Sequence, residues 1–189
     1  MRTVTLKKHD RNYTEIMSSL MSDARIQNAL GLNWQQVSIN GTRDFIDFIQ
    51  GEERMGKQLS RVIFNENEEF IGVITLKLIN RAAGTAHIGT WIGGDYWGLG
   101  YNELAKEAMF TIAFEVLNLK YIFAGAKLTN ERSIAAQKKL SYMTMDVGHI
   151  YPEELEKIEI ETKEKCILNV VEKERFQQYL KKELHVFGT

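Results

Sequence analysis

The sequence predicts a mixed α/β fold: a mostly antiparallel central sheet flanked by helices, with one strand-helix-strand crossover that carries a glycine-rich loop. Three observations predict it. Three β-rich segments, residues 58–64, 70–79 and 85–92, follow one another with only short turns between them, the pattern of an antiparallel meander. The next segment switches to the helical period, with Leu104, Ala105, Ala108, Met109, Ile112, Ala113, Val116 and Leu117 recurring as adjacent pairs four apart. A compact apolar run at 121–127 then restores strand character, and a strand, a helix and a strand in that order call for one parallel pairing.

Residues 2–7 alternate well enough for a short first strand, and 13–30 read as one or two helices with Ile16, Leu20, Ile26 and Leu30 inward. Phe45, Ile46, Phe48 and Ile49 fit a second helix, 42–50, laid on a core. The meander has turns at 65–68 and 80–84. Beyond the crossover come a short helix at 130–140, strand candidates at 145–151 and 158–171, and a closing helix. The acidic segment 152–164 reads as a solvated hairpin, and Phe110 and Phe114, four apart on the main helix, read as packing.

Composition bounds the function. With 189 residues, 44% hydrophobic and 26% charged, the chain can bury a substantial core, and its single proline and lack of low-complexity tracts mark no linker. Residues 1–189 therefore read as one domain. Lys and Arg total 24 against 25 Asp and Glu, so no global positive field draws in nucleic acid or an anionic membrane. The longest apolar stretch, 108–117, is interrupted by Thr111 and Glu115 and falls well short of the ~20 residues needed to span a bilayer. The one cysteine, Cys166, excludes an intrachain disulfide and reads as strand packing. In the absence of a secretory segment, the expected compartment is a reducing cytoplasm. His9, His149 and His185 are scattered, and with Cys166 they form no close ligand pair, so no metal site is expected. Oligomeric state leaves no mark in the sequence.

The glycines concentrate where the crossover begins. Gly89, Gly93, Gly94, Gly98 and Gly100 fall within twelve positions, the last two directly before the main helix. Glycines between a strand and a helix start let backbone N–H groups approach an anion that the helix dipole also favours. Glu103 stands where a dinucleotide-binding GxGxxG needs its third glycine, and no GxxxxGK[ST] element occurs. A phosphate-bearing ligand of another kind, or a plain connection, remains.

The stretch AHIGTWIGGDYWGLGY, 86–101, followed by AFEVLNLKYIFAGAKLTNERS, 113–133, resembles the GNAT superfamily of acetyl-CoA-dependent N-acetyltransferases, and most closely its ribosomal-protein N-terminal acetyltransferase branch. That branch typically reads A-E-I-G-Y-W-I-G-P-E-Y-W-G-K-G-Y in the same register and then N-x-x-S. The resemblance covers residues 69–142. Leu104 replaces the branch's first-turn glutamate, Ser141-Tyr142 its Gly-Phe, and Leu99 its common lysine between the glycines. Asp95 stands where the wider superfamily has Gln or Arg, although this branch commonly has an acid there.

The resemblance implies acetyl-CoA as co-substrate, no metal, and an amine-bearing acceptor, either a protein N terminus or a small molecule. It implies that Trp97, Gly98, Leu99, Gly100, Tyr101 and Asn102 hold the pyrophosphate, with backbone amides from Gly98 to Asn102 supplying the contact that Leu99 cannot. Main-chain groups of Trp91 and Ile92 would meet the thioester, with Gly89 accommodating a bulge, and Asn130 and Ser133 would sit beside the cofactor. His87 occupies the position where several members carry a glutamate proposed as base; it either accepts the amine's proton or tops a half-buried strand. Many members use a tyrosine four residues after the N-x-x-A/S position, but that position here is Gln137. This leaves Ser133 as the group assisting the leaving thiolate and Tyr142 in reserve. Asn130 and Ser133 also read as the cap of a helix. Trp34 lies in a region that walls the acceptor in the family. An alternative of a different class is a catalytically silent acyl-CoA-binding regulatory module, motivated by Gln137.

Overall fold

A computed structural model describes residues 1–186, with side chains to residue 183. The chain forms two compact units, Met1–Ile79 with Gly89–Met109, and Asn80–Ile88 with Phe110 onward.

In the first unit, β1 (Val4–Lys7) lies antiparallel on β2 (Leu59–Asn65), Val4 opposite Asn65 and Lys7 opposite Val62. Between them run α1 (Thr14–Met21), α2 (Ala24–Leu30), α3 (Trp34–Val37) and α4 (Ile39–Arg54). Helix α1 buries Thr14, Met17, Ser18 and Met21, a stripe at i, i+3, i+4 and i+7. Ile16 and Leu30, expected inward, are exposed instead: the inward stripe of α1 is the one just given, and α2 starts afresh after the break at Ser22 and Asp23. The single turn α3 was not anticipated. Asn33 and Gln36 close a reciprocal capping box around it, and the Ser38 hydroxyl then caps α4 by accepting from the Gly41 N–H at 3.1 Å. Helix α4 is longer than its apolar run and buries Thr42, Ile46 and Ile49, with Phe48 exposed.

Strands β2 and β3 (Phe70–Asn80) form the expected hairpin, with a register shift between Ile63 and Phe64. Asn65 Oδ1 accepts from the Asn67 and Glu69 N–H groups, both at 3.0 Å, and so builds the turn. Met17, Met21, Val37, Ile46, Val62, Phe64, Phe70 and Val73 make the core of this unit, with Tyr13 and Trp91 packed against it. The later part of β4 (Thr85–Ile92) borders β3: the Gly93 N–H donates to the Ile71 carbonyl at 2.8 Å. Helix α5 (Tyr101–Thr111) follows and continues as a wider π-type turn, Ile112–Val116.

In the second unit, the start of β4 pairs in parallel with β5 (Tyr121–Lys127), from Thr85 opposite Tyr121 to His87 opposite Phe123. Then come α6 (Glu131–Lys138), β6 (Met143–Thr144), α7 (Pro152–Thr162), β7 (Cys166–Glu172) and α8 (Lys173–Val186). Strand β7 lies antiparallel between β5 and β6. Phe123, Val147, Ile158, Cys166, Leu168 and Val170 form one core; Phe110, Phe114, Tyr142 and Phe176 form an aromatic one, with Phe110 and Phe114 stacked at 6.1 Å. Cys166 is buried packing, as expected.

Two strand expectations fail here. Residues 145–151 form no strand, and most of the segment read as a hairpin is α7, started by Pro152 in its first turn and ended by Lys163 in the left-handed region at φ 56°. The strand expected over 158–171 begins only at Cys166. In sheet order the seven described strands run β1-β2-β3-β4-β5-β7-β6, a mixed and mostly antiparallel arrangement. Among the described residues, no helix is long and apolar enough to cross a membrane.

Two buried features of the first unit generate predictions. A Cβ on Gly72 would stand 2.2 Å from the Trp91 carbonyl oxygen, so Gly72→Ala forces β3 away from β4. It should cost about 1–3 kcal/mol, read as a lowered thermal midpoint. His9 bonds through Nε2 to Ser60 Oγ at 2.8 Å, and Ser60 Oγ lies 2.7 Å from Thr75 Oγ1. Burial, helped by the Arg61 charge and opposed by Glu53, lowers the His9 imidazole from 6.5 to about 4. Between those pH values the unfolded chain binds a proton that the folded one refuses. Stability is therefore lost as pH falls from 6.5 toward 4, by about 3 kcal/mol in full. Denaturant unfolding of wild type and His9→Gln should diverge across this window, with the variant the flatter.

Candidate functional site

In the first unit the site residues lie at the end of β4 and the start of α5. The Trp97 indole Nε1 donates to the Ile92 carbonyl at 2.6 Å, which ties the loop back to the strand end. Gly98 and Gly100 hold φ of +76° and +89°, a region that costs an L-residue about 1–2 kcal/mol. A Cβ at either would meet nothing within 4 Å, so these glycines answer to backbone conformation alone. Gly89, expected to accommodate a bulge, likewise has open space around it; the close approach at this strand belongs to Gly72.

Tyr101 is buried, with its hydroxyl donating to Glu66 Oε1 at 3.0 Å. The amides of Tyr101 and Asn102 open α5 and have no intrahelical acceptor. Asn102 Oδ1 is buried without a hydrogen-bond partner. Two nearby basic residues had no signal in the sequence. Arg25 bridges Asp23 and Asp95, the latter at 2.8 Å, with its guanidinium 5.7 Å from the Trp97 ring. Lys106, four residues past Asn102 on α5, is buried, and burial lowers its ammonium to about 8.

In the second unit His87 is buried, 2% exposed. Its Nε2 lies 2.7 Å from Glu154 Oε2, and its ring packs against Phe123 at 5.4 Å. Glu154 also accepts from Lys157 Nζ at 2.7 Å. Burial raises the Glu154 carboxyl, but the hydrogen bonds from His87 and Lys157 outweigh it and leave it below its ordinary value. Glu154 comes from α7, the helix that read as a hairpin, and its i, i+4 relation to buried Ile158 was the available signal.

Asn130 caps α6 as expected, its Oδ1 accepting from the Ser133 N–H at 3.0 Å. Gln137 Nε2 donates to Ser133 Oγ at 3.3 Å. Tyr142, held in reserve, is buried with its ring 5.1 Å from Phe176 and 4.7 Å from Tyr179, which accounts for it as core. Trp34 is 79% exposed on α3. Among the described residues, no group of three or more His, Cys, Asp or Glu side chains could hold a metal ion; the His185 side chain lies outside them.

Within each unit, then, the residues singled out from the sequence converge locally: 91, 92 and 97–102 around one strand end and helix start, and Asn130 with Ser133 at another helix start. Known proteins resemble this chain in sequence and in fold. A curated relative, the uncharacterized N-acetyltransferase p20 of Bacillus licheniformis, is 27% identical over 141 residues, 74% of this chain and 78% of that one. The crystal structure of the Microcin C7 self immunity acetyltransferase MccE, in complex with acetyl-CoA and AMP, has a similar fold, with a TM-score of 0.68 at 22% identity over 76% of this chain and 80% of that one. So does RimL, a ribosomal L7/L12 alpha-N-protein acetyltransferase, with a TM-score of 0.67 at 20% identity over 76% and 78%. The family model for the acetyltransferase (GNAT) domain matches residues 2–142, and the chain therefore belongs to the GNAT family of acetyl-CoA-dependent N-acetyltransferases.

Proposed function

We propose that this chain moves the acetyl group of acetyl-CoA directly onto a primary amine, without an acetyl-enzyme, and that the amine is a protein N terminus or a small molecule. The observation that carries the reading is the pair of left-handed glycines, Gly98 and Gly100, opening the first turn of α5. Turns of that backbone type form anion-binding concavities, and the helix start adds its dipole. Amides of Gly98, Leu99, Gly100, Tyr101 and Asn102 are assigned to the pyrophosphate, which suits a loop whose Leu99 brings no charge. Asn102 Oδ1 can only accept, so it calls for an N–H of the kind the pantetheine amides carry, not for a phosphate.

Acetyl-CoA supplies an activated thioester; the protein must accept the amine's proton and stabilise charge on oxygen and sulfur. An α-amine has a reference pKa of about 8 and a lysine about 10.4, so a base titrating near neutrality is suited to the first task. His87 is assigned to it. The ionised Glu154 can only accept, so Nε2 carries the hydrogen and the ring is held in one tautomer. Main-chain N–H groups of Trp91 and Ile92 are assigned to the oxyanion, the Trp97 bond to the Ile92 carbonyl fixing the strand end. Ser133, with Asn130 shaping its turn, is assigned to the leaving thiolate, whose acid is no stronger than an ordinary thiol of pKa about 8.5. In this reading the two units act as one acetyltransferase domain, in a reducing cytoplasm compatible with the lone buried Cys166.

Acceptor profiling tests it. Free thiol should appear when acetyl-CoA is mixed with at least one member of a panel of small amines and peptides with free N termini; silence across the panel ends the proposal. His87→Gln should lower kcat roughly 100-fold or more while calorimetric affinity for acetyl-CoA persists, and unchanged turnover would remove His87. Because a methyl at Gly100 meets no neighbour, Gly100→Ala reports on backbone conformation. It should weaken acetyl-CoA binding about five- to tenfold, seen by calorimetry on folded protein.

A further inference from the structure

Behind Ser133 runs a buried chain of side-chain amides. Gln137, one turn further along α6 and 3% exposed, donates from Nε2 to Ser133 Oγ at 3.3 Å. Asn169 of β7, at 0% exposure, donates from Nδ2 to Gln137 Oε1 at 2.7 Å. Its own Oδ1 accepts from the Asp146 backbone N–H at 2.8 Å. A backbone amide can only donate, and that fixes the sense of every bond in the chain. Asn169 must turn its oxygen to Asp146 and its NH2 to Gln137, which in turn must face Ser133 with its own NH2. The Ser133 hydroxyl therefore receives a hydrogen bond from behind, and its hydrogen points away from Gln137.

We infer that Gln137 and Asn169 are positioning residues that make Ser133 an obligate outward donor toward the departing sulfur. The inference rests on the assignment of Ser133 in the proposed reaction. As the amine nitrogen bonds to the acetyl carbon, the C–S bond breaks and its electron pair goes to sulfur. The amine's proton passes to His87. Ser133 keeps its proton and donates a hydrogen bond to the thiolate, since an aliphatic hydroxyl is a far weaker acid than a thiol; sulfur takes its proton from water afterwards. Donors fixed before the charge appears need no reorganisation when it does.

The sense of the chain can be reversed without changing its volume. In Gln137→Glu the new carboxylate can only accept, so the Ser133 hydrogen turns inward toward it. In Asn169→Asp the new carboxylate accepts from both the Asp146 N–H and the Gln137 NH2, which swings the Gln137 carbonyl onto Ser133 and gives the same reversal from a residue that never touches it. Each variant should lose about ten- to a hundredfold in kcat, with KM for acetyl-CoA within about twofold. The ratio of variant to wild-type kcat should recover as pH falls, because a protonated carboxyl can donate again. Gln137→Glu placed on Ser133→Ala should cost nothing further.

A pH-independent ratio, losses that add to those of Ser133→Ala, or full kcat in a folded variant would overturn the inference; if one variant does not fold, the other decides. Failure of the underlying reading looks different: Ser133→Ala would keep wild-type kcat, or the wild type would turn over no amine.

Discussion

A polar side chain removed from water costs free energy unless it finds a partner inside the protein, and much of this structure follows from that cost. His87, Gln137 and Asn169 are all buried in the second unit, and each is met by a group from elsewhere in the chain. Glu154 on α7 answers His87; the Asp146 backbone answers Asn169, which answers Gln137. The first unit meets the same demand at His9, through Ser60 and Thr75. These pairs are spaced 67, 23, 32 and 51 residues apart along the chain, so they can form only when the strands and helices that carry them have their final register. Burial supplies most of the free energy of folding, and the polar pairs restrict how the buried surfaces can be laid together.

Legibility in the sequence divides along the same line. Wherever period and turn chemistry were sufficient, the reading holds: the meander of β2, β3 and β4, the crossover through α5 into β5, and the Asn130 cap of α6. The glycines before α5 were legible as permissive backbone at a helix start, and both hold positive φ. What was illegible depends on partners far away. The segment 152–164 contains Ile158 and Ile160 in strand-like alternation, yet Ile160 is exposed. The segment is a helix because Glu154 and Ile158, one turn apart, face His87 and the Phe123 core together. In the same way, nothing local told Met17 and Met21 from Ile16 as the inward side of α1 until α4, Phe64 and Phe70 supplied the surface to cover.

The glycine loop of the first unit and the polar clusters of the second are built on different principles. Around the glycine loop the chain accepts strained or permissive backbone, with two left-handed glycines and a carbonyl pinned by Trp97, and supplies few charges of its own, since Arg25 is already engaged by Asp23 and Asp95. Such a surface offers hydrogens and a dipole, which suits a ligand that brings its own negative charge. Around His87 and Ser133 the opposite holds: conventional strand and helix geometry, with each side chain oriented by the hydrogen bond it makes. Backbone can bind a diphosphate in almost any sequence that permits the turn. Moving a proton requires particular side chains in particular tautomers.

That difference bears on Gln137. A phenol at this place would be acidic enough to assist a thiolate unaided, with a reference pKa of about 10. A serine hydroxyl is far weaker, and left free it would as readily accept as donate. The chain Asp146–Asn169–Gln137 removes that freedom, because its first donor is a peptide N–H that no change of side-chain rotamer can invert. Under the proposed reaction, the amide in place of a tyrosine and the serine four residues before it would be one solution: strength of acid is exchanged for certainty of direction. The exchange works for a leaving group that needs a hydrogen bond and not a proton, and a thiolate is such a leaving group.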